Sequence, residues 1–191
     1  MKVIIVEGLA NTGKSTDIKF LQDYLSNNGL HCAIIHCNKP PKEVIDLDSY
    51  MHNEYMQLVD TIISYSNENI YDTVIIDRCW YSEYVYGHIY RGRTFDKLSK
   101  TVIEAENRLL ETIGYDNVTL FLLNVDNPAF SVKHEDGLSL SDADITKIEE
   151  EQKLFSDVFV LSKLKKHEVI VNNDLEFKEK NVIFNEILSV I

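Results

Sequence analysis

Short, nearly unbroken apolar runs recur along the chain at VIIVE (3–7), CAIIHC (32–37), TVIID (73–77), VTLFLLN (118–124) and EVIVN (168–172). Runs of this length predict strands. The stretches between them are longer, and in STDIKFLQDYLSNNG the apolar residues Ile18, Leu21 and Leu25 fall at helical spacing. Strand and helix in alternation predict βαβ units, hence an α/β fold with a parallel sheet and helices on both faces. HEDGLSLSDAD (134–144) has no apolar period and reads as a mobile loop. DITKIEEEQKLFSDVFVLSKLKK (144–166) reads as one solvated amphipathic helix, acidic early and lysine-rich late, as a helix dipole favours. No repeat, low-complexity tract or linker divides the chain, so 1–191 is read as one domain.

In parallel α/β sheets ligands bind at the carboxyl ends of strands, so the turn after each run is where chemistry is sought. After the first comes VEGLANTGKSTD (6–17), where Gly8 to Ser15 spell G-x-x-x-x-G-K-S. This is the phosphate-binding loop pattern, entered from a strand and left through a helix. Gly8 and Gly13 allow a close backbone wrap whose N–H groups, from Asn11 through Thr12, Gly13, Lys14, Ser15 and Thr16, point at phosphate oxygens. Lys14, expected to be exposed in the loop, directs its charge at the outer phosphates, and the Ser15 hydroxyl is a ligand for Mg²⁺. The second run exits through Asn38-Lys39-Pro40-Pro41, a lysine followed by a stiffened turn.

The third run exits through DRCWYSEYVYGHIYRGR (77–93). Asp77 closes the strand where a carboxylate can reach the Mg²⁺ of Ser15. The next residue is Arg78, suited to gripping a phosphate, and not the glutamate with which hydrolytic ATPases activate water. The chain has only Arg78, Arg91, Arg93 and Arg108, so three of its arginines fall directly after this strand. Bidentate phosphate recognition is one reading of that cluster, and surface charge, most of all at Arg91 and Arg93, is the other. Asn38-Lys39 leads into Pro-Pro and so forms no N-K-x-D guanine motif, which favours a kinase over a GTPase switch.

Composition narrows the partners. A formal net charge of −12 repels polyanions such as duplex nucleic acid, while a small anion in a local basic pocket remains compatible. The three cysteines, Cys32, Cys37 and Cys79, have neither disulfide-framework nor zinc-ligand spacing. With no signal-type or membrane-spanning apolar segment, a soluble cytoplasmic protein is expected, binding small nucleotides and neither membrane nor nucleic acid. Tyr50, Tyr55, Trp80 and Tyr81 are either base-stacking or core aromatics, and His134 is expected as a solvated side chain.

E-G-L-x-x-x-G-K-S-T at 7–16, D-R-x-x-x-S-x-x-x-Y at 77–86 and R-G at 91–92 together resemble thymidylate kinase and related nucleoside monophosphate kinases. LFLLNVDNPAFSVK (120–133) and the helix around Glu149 to Phe155 fit the same template. The resemblance implies a P-loop three-layer α/β/α fold on a five-stranded parallel sheet, with a lid at about 134–146. It also implies a homodimer that transfers the γ-phosphoryl of ATP, with Mg²⁺, to a deoxynucleoside monophosphate. Lys14, Asp77 and Arg78 would then be catalytic, with Ser15 and Asp77 at the metal. Arg78, Ser82, Tyr86 and Arg91 would contact the substrate, and Lys39 would replace the family's acceptor-phosphate arginine. Ala10 stands where the family carries an aspartate, and the lid lacks the expected arginines, leaving Lys133 at its entry. Two other readings stay open: a deoxynucleoside kinase acting on a 5′-hydroxyl, which wants a carboxylate base that HCNKPP (36–41) does not offer, and a nucleotide-binding protein with degraded catalysis.

Overall fold

The apolar runs build one sheet in the computed structural model, which describes residues 1–37, 39–41 and 43–191. The turn residue Asn38 lies outside the described residues. Five parallel strands, β1 (Lys2–Gly8), β2 (Cys32–His36), β3 (Thr73–Asp77), β4 (Val118–Asn124) and β5 (Lys165–Ile170), lie in the order β2-β3-β1-β4-β5. β1 is central because it is covered everywhere: Val3, Ile4, Ile5 and Val6 are buried, as are the facing Val74 to Ile76 and Leu120 to Leu123. That order brings the exits of β1 and β3, the two chemistry-bearing turns, side by side.

α1 (Lys14–Asn27) packs against β1, β2 and β3 and against the last helix, α7 (Lys180–Leu188). On the other side α3 (Trp80–Arg91) contacts β1, α4 (Phe95–Ile113) and α6 (Ile145–Leu161), while α2 (Leu47–Asn67) leans on α4. The result is the three-layer α/β/α arrangement. In α1 the buried positions include Ile18, Leu21 and Leu25, the spacing that predicted the helix. A short α5 (Ala129–Lys133) comes after β4.

Two expectations at the carboxyl-terminal end are corrected. The helix predicted over 144–166 stops at Leu161, and its last two lysines, Lys165 and Lys166, belong to β5, which starts three residues before the predicted 168. β5 is one of the two edge strands, beside β4, and an edge strand tolerates polar residues, here Lys165, Lys166 and His167. Its lysine still serves the helix end: Lys166 Nζ donates to the carbonyls of Phe159 (3.0 Å), Val160 (2.6 Å) and Ser162 (3.0 Å). Beyond β5 comes an unpredicted hairpin, β6 (Asn172–Asn173) and β7 (Glu176–Phe177). The predicted lid segment is also shorter by its last two residues, because Asp144 caps α6 by accepting from the Thr146 N–H (3.0 Å).

Candidate active site

The β1 exit and the first turn of α1 form a loop held from within. Gly8 lies at φ 133°, and a Cβ there would sit 2.0 Å from the Leu123 carbonyl oxygen, so glycine is demanded by β4 as much as by any ligand. The Thr12 hydroxyl donates to Leu9 O (3.0 Å), and Gly8 and Thr12 support the loop without facing the cleft. Lys14 is buried at 6% exposure, not exposed as the sequence suggested. Its ammonium folds back onto the Leu9 carbonyl and the Thr12 hydroxyl. Burial pushes its pKa well below the ordinary lysine value, Arg78 adds to this, and Glu7, Asp77 and Glu151 oppose it.

Arg78 has a left-handed backbone (φ 63°), a conformation costly for a non-glycine residue and here fixed by its N–H to Val6 O (3.1 Å). The turn throws the guanidinium across the mouth of the loop. Its Nη1 donates to Gly8 O (3.3 Å), Ser82 Oγ (3.2 Å) and Tyr86 OH (3.0 Å). Beneath it Glu7, 1% exposed, accepts from the N–H groups of Cys79 (2.6 Å) and Ser82 (3.2 Å) and from Ser82 Oγ (2.6 Å). A carboxylate from β1 thus satisfies the orphan donors at the start of α3, where the helix dipole also favours it. Burial nevertheless raises its pKa, which the Ser82 bond, Arg78 and the backbone donors partly offset.

A cleft of about 460 Å³ opens above these residues. Asn11, Gly13, Lys14, Ser15, Thr16, Lys39, Asp77, Arg78, Ser82, Tyr86 and Arg91 all line it, so the predicted site residues converge, Gly8 and Thr12 standing behind them as supports. Asp77 Oδ2 meets His36 Nδ1 at 2.9 Å across the β2–β3 pair. Among the described residues no three His, Cys, Asp or Glu side chains gather as a metal cage. Mg²⁺ needs fewer protein ligands, since it keeps water and substrate phosphates, and an exposed Ser15 hydroxyl with the Asp77 carboxylate on one rim fits that donor set. Cys37 also lines the cleft, but burial pushes its thiol up to about 12, so it is a neutral thiol near pH 7.

Of the four candidate aromatics only Tyr55 reaches the cleft. Trp80 and Tyr81, each 1% exposed, are core, Tyr81 donating to Glu106 (2.6 Å), and Tyr50 packs against the core. Arg93 is not surface charge: it is buried and bound to Glu83 (2.8 Å) and Asp48 (2.6 Å). Lys133, at the entry of the expected lid, pairs with Glu176 and does not line the cleft. His134 packs on Phe130 (4.4 Å between ring centroids) and Phe177 (5.0 Å), with Nε2 3.2 Å from Leu175 O, and is not a solvated lid histidine.

The 134–144 segment, expected as a lid, lines the cleft with Asp136, Leu138, Ser139 and Leu140, and Glu135 accepts from Asn11 Nδ2 (3.3 Å), tying the segment to the loop. Two acidic residues of the cleft, Glu83 and Glu151, gave no signal in the sequence. Glu83 lies on α3 and binds both Arg91 and Arg93. Glu151 is 2% exposed and accepts from Tyr90 OH (2.5 Å), and burial raises its pKa. Its acidic neighbours hid it, although it stands at helical spacing between the buried Ile148 and Phe155.

No protein-family model and no curated protein sequence matches the chain. Solved structures do. The YorR protein of Bacillus subtilis, crystallised in complex with phosphorylated GDP, aligns over 98% of this chain and 94% of its own with a TM-score of 0.69 at 18% identity. A thymidylate kinase from Ehrlichia chaffeensis aligns over 99% of this chain and 97% of its own with a TM-score of 0.65 at 17% identity. The chain has a thymidylate-kinase-like P-loop fold.

Proposed function

We propose that the protein transfers the γ-phosphoryl group of ATP to a nucleoside monophosphate. One observation carries the reading: the cationic groups Lys14, Arg78 and Lys39 open on one cleft, between a loop with the phosphate-binding pattern and the turn after β3. Lys14 swings from Leu9 O to the donor's outer phosphates, exchanging a neutral carbonyl for an anion. Arg78 spans donor and acceptor, and its left-handed turn and its bonds to Ser82 and Tyr86 hold the fork in place before substrate arrives. Lys39 meets the acceptor phosphate. Ser15 and Asp77 would hold Mg²⁺, which neutralises charge on the transferring group when bound. The lid supplies no arginine and acts by excluding water. The protein is expected to work as a homodimer in the cytoplasm; among the described residues no helix is long and apolar enough to cross a membrane.

A phosphate acceptor is favoured over a 5′-hydroxyl because that alternative needs a free carboxylate base, and the inner carboxylates of the cleft are engaged. Glu83 holds two arginines, Glu151 holds Tyr90 and Asp77 is the carboxylate assigned to Mg²⁺. A coupled assay of ADP release against a panel of nucleosides and nucleoside monophosphates tests the reading. Turnover is expected with monophosphates only and is lost in Lys14→Met. Turnover with nucleosides alone selects the hydroxyl kinase, and none at all selects a nucleotide-binding protein without catalysis.

A further inference from the structure

Beside the phosphate-binding loop stands an acid without a counter-cation. Glu135 accepts from uncharged donors only: Asn11 Nδ2 of the loop (3.3 Å), the N–H groups of Gly137 (2.8 Å) and Ser139 (3.4 Å), and the Ser139 hydroxyl. Among the described residues no lysine, arginine or histidine lies within ion-pair distance of it. The Lys14 ammonium is turned to the Leu9 carbonyl and the Thr12 hydroxyl instead. The donors keep Glu135 ionised, the Ser139 hydroxyl most of all, holding its pKa below the usual carboxylate value. Its charge reaches into the cleft: burial raises the pKa of Glu151 on the cleft wall, and Glu135 adds to that rise. Asp136 lines the cleft next to it, and nothing in 134–144 offsets the pair, since the segment has no lysine or arginine. A fixed negative charge therefore sits one hydrogen bond away from Asn11, a loop residue that itself lines the cleft.

We propose that Glu135 is a specificity-determining residue, a charge filter that holds bare polyphosphate off the loop and admits it once a divalent cation has neutralised it. The proposal rests on the proposed function only in seating a donor polyphosphate on residues 8–16. A carboxylate fixed beside that seat raises the cost of every negative charge brought to it. A metal-free triphosphate meets that cost in full. A triphosphate carrying Mg²⁺ has lost much of its charge and brings a cation that the carboxylate attracts. An arginine in the same segment would do the opposite and draw in both forms. Ser15 and Asp77 would favour the metal complex by ligating the cation, whereas Glu135 acts by charge without ligating it. The two contributions separate by salt, which screens a charge at the rim of a cleft far more than a metal–ligand bond.

Equilibrium calorimetry of the full chain with the non-hydrolysable ATP analogue adenylyl imidodiphosphate, once with Mg²⁺ and once with EDTA, measures the filter as the ratio of the two affinities. Glu135→Gln removes the charge but keeps an oxygen to accept from Asn11. It should tighten metal-free binding by at least about threefold, change binding of the Mg²⁺ complex less than about twofold, and so shrink the ratio. The difference from the parent should disappear at about 1 M salt. Ser139→Ala loosens the segment but keeps the charge, and should leave the parent's ratio in place. Metal-free binding that is unchanged or weaker in Glu135→Gln, an equal tightening of both forms, a ratio that shrinks in Ser139→Ala as well, or no binding of either form by any of the three proteins overturns the proposal. Filtered binding without phosphoryl transfer leaves it standing and overturns the proposed kinase activity alone.

Discussion

At the scale of the residue, Glu7 and Arg78 illustrate how one site is assembled from groups that cannot be judged alone. Glu7 loses solvation but satisfies three donors at the start of α3. Glu7→Ala removes the acceptor and should destabilise the protein by about 1–3 kcal/mol, the cost of stranding buried donors; denaturant unfolding measures it. The pH response has a defined sign. Because the folded pKa is raised above the ordinary 4.5, the folded state holds the proton more firmly, and stability falls as pH climbs through that raised value. Glu7→Gln has no such titration, so its melting temperature relative to the parent should rise between pH 4 and pH 7; an unchanged difference would contradict the raised pKa. Arg78→Lys keeps the charge but loses the planar guanidinium, whose Nη1 is held by Gly8, Ser82 and Tyr86 and whose fork is suited to phosphate. It should lose at least about a hundredfold in rate, the scale of removing one preorganised charge-stabilising donor. A near-native rate in steady-state kinetics would place Arg78 outside the reaction.

At the scale of the element, the 134–144 segment is tied down by polar contacts and brings no lysine or arginine to the cleft. Lys133 bonds Glu176 of the β6–β7 hairpin, so Lys133→Ala should change the rate less than about threefold, in keeping with an exposed pair worth under about 1 kcal/mol. Asn11→Ala frees the lid from the loop, and faster hydrogen exchange at 135–144 is its expected mark. How legible each element was in the sequence tracks its burial. β3 and β4 form over the predicted residues because Val74 to Ile76 and Val118 to Leu123 are buried on both faces and read as unbroken apolar runs. β5 was misplaced because, at the sheet edge, Lys165, Lys166 and His167 replace that signal, and lysines after an amphipathic stretch imitate a helix end. The β6–β7 hairpin has two residues per strand and depends on Asn172, wholly buried and bonded to Asp126 and Asp174, a tertiary fact with no local pattern.

At the scale of the whole molecule, strand order is decisive. Setting β1 between β3 and β4 brings Lys14 and Arg78 to one rim, and the pairing of β2 with β3 adds Lys39, so an acidic chain concentrates its cations in one cleft. The motif residues were legible because glycine spacing, a lysine and a strand-end Asp-Arg are local signals. Glu83, Arg93 and Asp48 were not, because a buried ion network appears only once α2 and α3 are packed around it. The burial of Lys14 was illegible for a related reason: a motif places a residue on a loop without telling that its side chain folds back onto the Leu9 carbonyl and the Thr12 hydroxyl. In the function proposed for this cleft, a phosphoryl group moves onto a phosphate. Phosphorus-31 NMR of the protein with Mg-ATP and a nucleoside monophosphate tests it directly. The expected result is a β-phosphate resonance of a new nucleoside diphosphate growing as ADP forms, absent with Lys14→Met; a new monophosphate from a nucleoside, or inorganic phosphate alone, would contradict it.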